Sequence, residues 1–307
     1  ITKGTNHSTK DVFEIPNGKY FGLGISIDTL NNKVRYPLSI VILDAQGKIL
    51  IIKNYLKNKI NFSNPPLNSR TSCKVGNNIY YAGTVFDTTS KFGGVLIKFN
   101  LNGDTLWWKN FNDLNYDIQI NKVSPGVDGS LLLVGNLSDN VHGILPSLLI
   151  KTDANGNELW RKLIHKSNPD GAETKSVLQD PISKKIVLIG TQNIGSGIYN
   201  SDIMVLDSLG NLINRNGFQQ GGAYDVIQTQ DNGIVVVGSE EISGFQSTGR
   251  SFALKFNINA PNTPIWRIDH FGPITAENIF YHVCEFPNGE LLMAGTIDTT
   301  EFTVHVH

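Results

Sequence analysis

DGSLLLVG, running from Asp128 to Gly135, is a short apolar run that a turn introduces and a glycine closes. The same shape recurs as NGKYFGLG from Asn17 to Gly24, NNIYYAG from Asn77 to Gly83 and SKKIVLIG from Ser183 to Gly190. It appears again as NGIVVVG from Asn232 to Gly238 and NGELLMAG from Asn288 to Gly295. The six closing glycines, Gly24, Gly83, Gly135, Gly190, Gly238 and Gly295, are 59, 52, 55, 48 and 57 residues apart. A period near ~50 residues implies stacked units, each too small to bury its own apolar faces.

A second marker travels with the first: a strand-like run, a polar turn and another run. Copies are VLIKFNLNGDTLWWKNF from Val95, LLIKTDANGNELWRKLI from Leu148 and ALKFNINAPNTPIWRIDHF from Ala253. Weaker copies begin at Ser39 and Asp202, and a last one begins at Phe302 and stops at His307. Asn-Gly between β-rich runs marks a hairpin, because both residues accept positive φ. Each unit therefore reads as four strands, a to d. Strand b, as in Ile234 to Val237, is apolar on consecutive residues and should be buried on both faces. Four-stranded antiparallel units repeated radially make a β-propeller. The expectation is an all-β, six-bladed propeller forming one domain over residues 1–307.

The sixth unit lacks strand d, and Ile1-Thr2-Lys3-Gly4 resembles the end of one. The N-terminal strand is therefore expected to close the ring and remove an open sheet edge. The alternative is that the natural chain continues beyond His307.

The chain carries 26 basic and 27 acidic side chains among 307 residues, without blocks of one sign. That excludes the basic footprint of a nucleic-acid binder. No apolar run approaches the ~18 residues of a spanning helix, so membrane insertion is not expected. The start at Ile1 reads as a mature or trimmed N-terminus. Cys73 and Cys284 fall at nearly the same repeat position in non-adjacent blades, too far apart for a disulfide, and read as small buried hydrophobes.

The stretch GGAYDVIQTQDNGIVVVGSEEI, Gly221 to Ile242, and the turn DANGNELW, Asp153 to Trp160, resemble the repeats of secreted bacterial β-propellers. These repeats look like distant relatives of quinoprotein-type, tryptophan-containing blades. Trp107, Trp160 and Trp266 match the strand-d tryptophan of that repeat, while Ile51 and Asn214 stand in its place in blades one and four. The resemblance covers essentially the whole chain. It implies a propeller that is exported, periplasmic or at the surface of a bacterium, and it specifies fold better than function.

The candidate chemistry is sparse. Asp153-Ala154-Asn155-Gly156-Asn157 starts like a calcium loop, but Ile164 stands where the bidentate Glu should be, so it reads as a hairpin turn. Trp108 follows Trp107 and should point to the opposite face of strand d, exposed. His305 and His307 share a strand face without an assignable third ligand. There is no nucleophile elbow, P-loop, HExxH or CxxC pattern. No metal and no cofactor is expected. Three Asn-x-Ser patterns, at Asn6, Asn61 and Asn136, fit the glycan acceptor rule.

Loop length carries the functional reading. The a–b and c–d connections are tight turns, whereas the b–c and d–a connections are long and emerge together on the other rim. Long loops on a rigid scaffold are where binding sits. Arg70, Tyr116, Tyr199, Tyr224 and Tyr281 lie in or beside them, of residue types favoured at binding hot spots. Asp11 and His282 share one slot at the start of strand a, facing the channel mouth, with Asp117 and Asp225 as further carboxylates. The leading expectation is a non-enzymatic protein-binding module or subunit of a cell-envelope assembly, docking through the long-loop face. The alternative is a lectin or enzyme that takes a glycan or other small ligand at the channel mouth through Asp11, Asp117, Asp225 and His282. Exposed aromatics beside clustered carboxylates would favour the second.

Overall fold

The computed structural model describes residues 6–30, 33–35, 37–55, 61–62, 71–86, 92–139, 143–164, 172–193, 199–217, 221–241, 249–270, 278–297 and 300–306. The strands form six antiparallel sheets set around a ring, a β-propeller. Blade one comprises strands a to d at Asn6–Ile15, Lys19–Leu30, Leu38–Leu43 and Ile49–Tyr55. Blade two comprises Ser72–Val75, Asn78–Phe86, Phe92–Asn100 and Thr105–Phe111. Blade three comprises Asp117–Pro125, Leu131–Asp139, Gly143–Thr152 and Glu158–Ile164. Blade four comprises Ala172–Gln179, Ile186–Asn193, Tyr199–Leu206 and Leu212–Asn216. Blade five comprises Gly221–Gln228, Ile234–Glu241, Gly249–Asn257 and Ala260–His270. Blade six has strands a to c at Asn278–Glu285, Leu291–Ile297 and Thr300–Val306. The closing strand expected at Ile1 to Lys3 lies outside the described residues, as do most of the long b–c and d–a connections.

Strand b is the filling of each blade. Leu131 to Val134, Ile186 to Ile189 and Ile234 to Val237 are each shielded from solvent on both faces. Leu133 and Leu131 pack towards blade two, while Leu132 and Val134 pack towards blade four. Alternation along one strand thus feeds two inter-blade cores, which is why the sequence shows a continuous apolar run.

The repeating glycine does not end the strand, as its position in the motif suggested. It sits inside strand b, opposite a β-bulge in strand a. The register slips between Thr9 and Asp11, Ile120 and Lys122, Thr174 and Ser176, Ala223 and Asp225, and Phe280 and His282. The bulge drives a strand-a carbonyl onto the glycine. A Cβ at Gly135 would lie 1.8 Å from the Gln119 oxygen, and one at Gly295 would lie 1.8 Å from the Ile279 oxygen. Gly190 and Gly238 are pressed in the same way, at 2.0 Å. The glycine is the receptor for the bulge.

Neighbouring blades are also stitched at the c–d turns. Asp153 Oδ1 accepts the backbone N–H groups of Asn155 and Asn157 at 2.8 and 2.9 Å, an Asx turn. Asp207 does the same for Leu209 and Asn211, and Asn100 for Asn102 and Asp104. The calcium-like DANGN stretch is such a turn. Its Gly156 lies under the ring of Trp107 from the preceding blade, and Gly210 lies under Trp160. Two residues beyond the tryptophan slot, a lysine reaches the next turn: Lys53 Nζ to Asp104 at 2.6 Å, Lys109 Nζ to Asn157 at 3.0 Å and Lys162 Nζ to Asn211 at 3.2 Å.

Trp107, Trp160 and Trp266 are partly buried between blades. Trp108 corrects the expectation of an exposed ring. It does point to the face opposite Trp107, but that face meets blade one, and the ring packs against the core shared by blades one and two. In a radial array both faces of a blade are covered, so alternation along strand d does not mark an outside. Both cysteines are free, and Cys284 is only partly buried. Asn136 is buried and donates to the Ala172 carbonyl, which rules it out as a glycan acceptor in the folded chain.

Candidate functional site

The bulge that fits the glycine also aims one residue per blade. Asp11, Lys122, Ser176, Asp225 and His282 each follow the bulged residue and pair with the position before the strand-b glycine: Leu23, Val134, Ile189, Val237 and Ala294. Thr71 takes the slot in blade two, where its carbonyl accepts the Ala82 N–H at 2.9 Å. Strand a is innermost, so the six form a belt around the central channel.

The belt has two poles. At the first, Asp225 gathers residues from four blades. Its Oδ1 accepts from Lys122 Nζ of blade three at 2.8 Å and from Ser176 Oγ of blade four at 3.3 Å. Lys122 Nζ also donates to Ser176 Oγ at 2.5 Å. The second oxygen accepts the Val283 N–H of blade six at 3.3 Å and lies 3.7 Å from His282 Nδ1. A lysine of blade three that touches blade five must reach past blade four, so this ion pair bridges two non-adjacent blades. The Asp225 side chain is 2% exposed, that of Lys122 10% and that of His282 32%. Two opposite charges so far out of water survive only because each is paired and hydrogen-bonded. His282 Nδ1 itself is buried without a hydrogen-bond partner.

At the other pole, Asp11 is buried and taken up by the wall. Its Oδ2 accepts the Thr71 and Ser72 N–H groups at 3.1 and 3.0 Å, and the Ser72 hydroxyl at 2.6 Å. Between the poles lies Cys73. Burial and the Asp11 charge push its thiol up to about 12, against the opposing pull of Lys122. It is therefore a thiol, not a thiolate, at neutral pH.

The bulged residues themselves stand one step nearer the long-loop rim. In blades five and six they are Tyr224 and Tyr281, both half-buried, with ring centroids 5.2 Å apart at 79°. This edge-to-face pair lies beside Asp225 and His282 in the chain.

The structure thus brings together Tyr224, Asp225, Tyr281 and His282, and sets Asp11 at the same belt level in blade one. Tyr116 and Asp117 stand apart from the belt slot. Tyr116 is 36% exposed, and Asp117 Oδ1 accepts the Phe92 N–H at 3.1 Å, tying blade three to blade two. Tyr199 pairs with Asn193 at the start of strand c in blade four, and its side chain lies outside the described residues, as do Arg70 and His307 and the side chain of His305. Sequence reasoning missed Lys122, Ser176, Thr71 and Ser72. The signal was present: Asp11, Lys122, Asp225 and His282 all stand 13 residues before their strand-b glycine. Among the described residues, no group of three or more His, Cys, Asp or Glu could hold a metal ion. No helix among them is long and apolar enough to cross a membrane.

No protein-family model matches the chain. No curated protein matches it either. Solved structures do. A subtype N10 neuraminidase-like protein of A/little yellow-shouldered bat/Guatemala/060/2010 is 11% identical over 99% of both chains, with a TM-score of 0.50. An acylaminoacyl peptidase from Pyrococcus horikoshii is 11% identical over 98% of this chain and 45% of its own, with a TM-score of 0.55. A looser match is the β-1,2-mannobiose phosphorylase from Listeria innocua, 12% identical over 99% and 90%, with a TM-score of 0.45. Identities this low establish the shared propeller fold and no more.

These findings correct the expectation of a non-enzymatic docking module. The propellers matched include a neuraminidase-like protein and an acylaminoacyl peptidase, so the absence of a linear catalytic motif is no ground for a non-enzymatic reading. In a ring, a site is assembled from single residues of several blades, so no motif need appear in the sequence.

Proposed function

We propose that this propeller takes a small polar ligand of the saccharide class at the channel mouth, with His282 and Asp225 as an acid–base pair. The observation that carries the reading is the convergence of Asp225, His282, Lys122 and Ser176 from four blades, beside the Tyr224–Tyr281 pair. Small-ligand sites combine apolar surface with a few converging polar groups. The tyrosines supply ring faces and hydroxyls for a sugar. Asp225 is paired with Lys122 at 2.8 Å, and its second oxygen lies 3.7 Å from His282 Nδ1. An imidazole so placed can pass a proton to or from a bound ligand. The enzyme-rich company of this fold supports the reading without choosing a substrate.

The test is a saccharide array followed by calorimetric titration of the best binder, together with turnover assays on chromogenic glycosides. Tyr281→Ala and His282→Ala should each lower affinity at least tenfold while leaving the melting temperature within a few degrees. Loss of turnover, if turnover exists, should be steeper for His282→Ala. A wild-type protein that binds no saccharide, or binding that survives both substitutions, would overturn the proposal.

A further inference from the structure

We infer that Lys122 is a positioning residue for this site: reaching from blade three to blade five, it keeps the Asp225 carboxylate ionised and turned towards His282. It acts through Asp225 and has no assigned contact with a ligand. Its residue type does not single it out, since a lysine in a strand reads as solvated surface; only its repeat position does.

Three observations carry the assignment. First, the Lys122 side chain is only 10% exposed, although lysine is almost never buried without a reason. Second, it donates to both Asp225 and Ser176, and Ser176 in turn donates to the same Asp225 oxygen. The ammonium and hydroxyl thus hold Oδ1, which leaves Oδ2 facing Val283 N and His282 Nδ1. Third, the groups that face Asp225 among the described residues include Lys122, Ser176, His282 with the Val283 N–H, and its own Val226 N–H. Lys122 is the nearest cation among them, and His282 stands farther off at 3.7 Å. Without Lys122, a carboxylate 2% exposed would lose the ammonium paired with it at 2.8 Å, and protonation becomes the cheaper state.

Lys122 builds on the saccharide-site reading only through Asp225, and its role can be measured with no saccharide present. Melting temperatures are followed from about pH 4 to pH 8 for the wild type, Lys122→Met, Asp225→Asn and the double variant. Removal of Lys122 raises the folded-state pKa of Asp225 above its unfolded value. The penalty is therefore absent at the acid end and grows as pH rises. Lys122→Met should melt close to the wild type near pH 4 and well below it near pH 8. Asp225→Asn added to Lys122→Met should restore much of the loss at pH 8. Lys122→Arg, which keeps the charge, should stay near the wild type across the range. In parallel, the carboxyl-carbon resonance of Asp225, assigned by its loss in Asp225→Asn, should titrate about one pH unit or more higher in Lys122→Met. A deficit in Lys122→Met that is constant with pH, or one not relieved by Asp225→Asn, overturns the role. If Lys122→Met fails to fold, Lys122→Gln, which also removes the charge, carries the NMR test, and an Asp225 resonance that titrates as in the wild type is the overturning result. Failure of the saccharide array with a positive result here would sink the proposed ligand and leave the positioning role standing.

Discussion

The outer seam and the inner belt are built from the same repeat, yet they have diverged in opposite ways. At the seam, equivalent positions do equivalent work. Lys53, Lys109 and Lys162 each reach the next blade's turn, and Asn100, Asp153 and Asp207 each close an Asx turn. At the belt, one slot holds Asp11, Thr71, Lys122, Ser176, Asp225 and His282, six residues of five chemical types. The seam repeats because every blade meets its neighbour through the same packing geometry. The belt need not repeat, because its residues face a shared axis where differences can combine. Chemistry appears where the repeat stops repeating.

The largest effect expected is structural and lies between the two regions. Gly135→Ala should destabilise by about 4 kcal/mol or more, because its methyl group would meet the Gln119 carbonyl oxygen at 1.8 Å. Denaturant unfolding measures it. A small loss there would mean that the bulge can relax, and that belt and blade packing are separable. At the seam, Trp160→Ala should cost about 3 kcal/mol through lost packing between blades three and four. Trp108→Ala should cost a comparable amount, since its ring packs on the core of blades one and two.

The two belt poles sharpen the contrast in binding. Asp225→Asn should weaken saccharide affinity by about 2 kcal/mol, whereas Asp11→Asn should change it by less than about 0.5 kcal/mol. Asp11 is committed to Thr71 and Ser72. Equal losses in calorimetric titration would show that the whole belt, not one pole, forms the site. Smaller still is the seam lysine. Lys162→Ala should cost under about 1 kcal/mol, as exposed polar contacts do, and leave binding unchanged.

The smallest effect is a pH dependence at the turns. Hydrogen bonding to Lys255, then to Thr229, holds the Asp231 carboxyl down to about 2. A depressed folded-state pKa contributes stability that is present above about pH 4 and lost as pH falls towards 2. Asp231→Asn should flatten the melting curve in that window, by slightly lowering the melting temperature at neutral pH while leaving it little changed near pH 2. Asp153, lowered chiefly by its Asn157 side-chain contact, should behave in the same direction.

Much of this molecule was legible residue by residue. The glycine period and the runs such as Ile234 to Val237 gave the blade count and strand b, because both are local signals. The Asn-Gly and Asp-x-x-Gly turns were equally plain, since positive φ at Asn17, Asn232, Gly103 and Gly156 follows from residue type. The site was only half legible. Tyr224, Asp225, Tyr281 and His282 drew attention as residue types near long loops. Lys122 and Ser176 did not, because lysine and serine within strands carry no chemical signal of their own.

By itself, then, the sequence determined the period, the strands and the turns, all properties of a few neighbouring residues. The tertiary structure decided which face of strand d is outside, why the glycine is required and which residues meet. Trp108 is covered only because a blade has neighbours on both sides. Gly135 is needed only because a bulged strand presses on it. Lys122 meets Asp225, 103 residues away, only because ring closure turns six distant slots towards one axis.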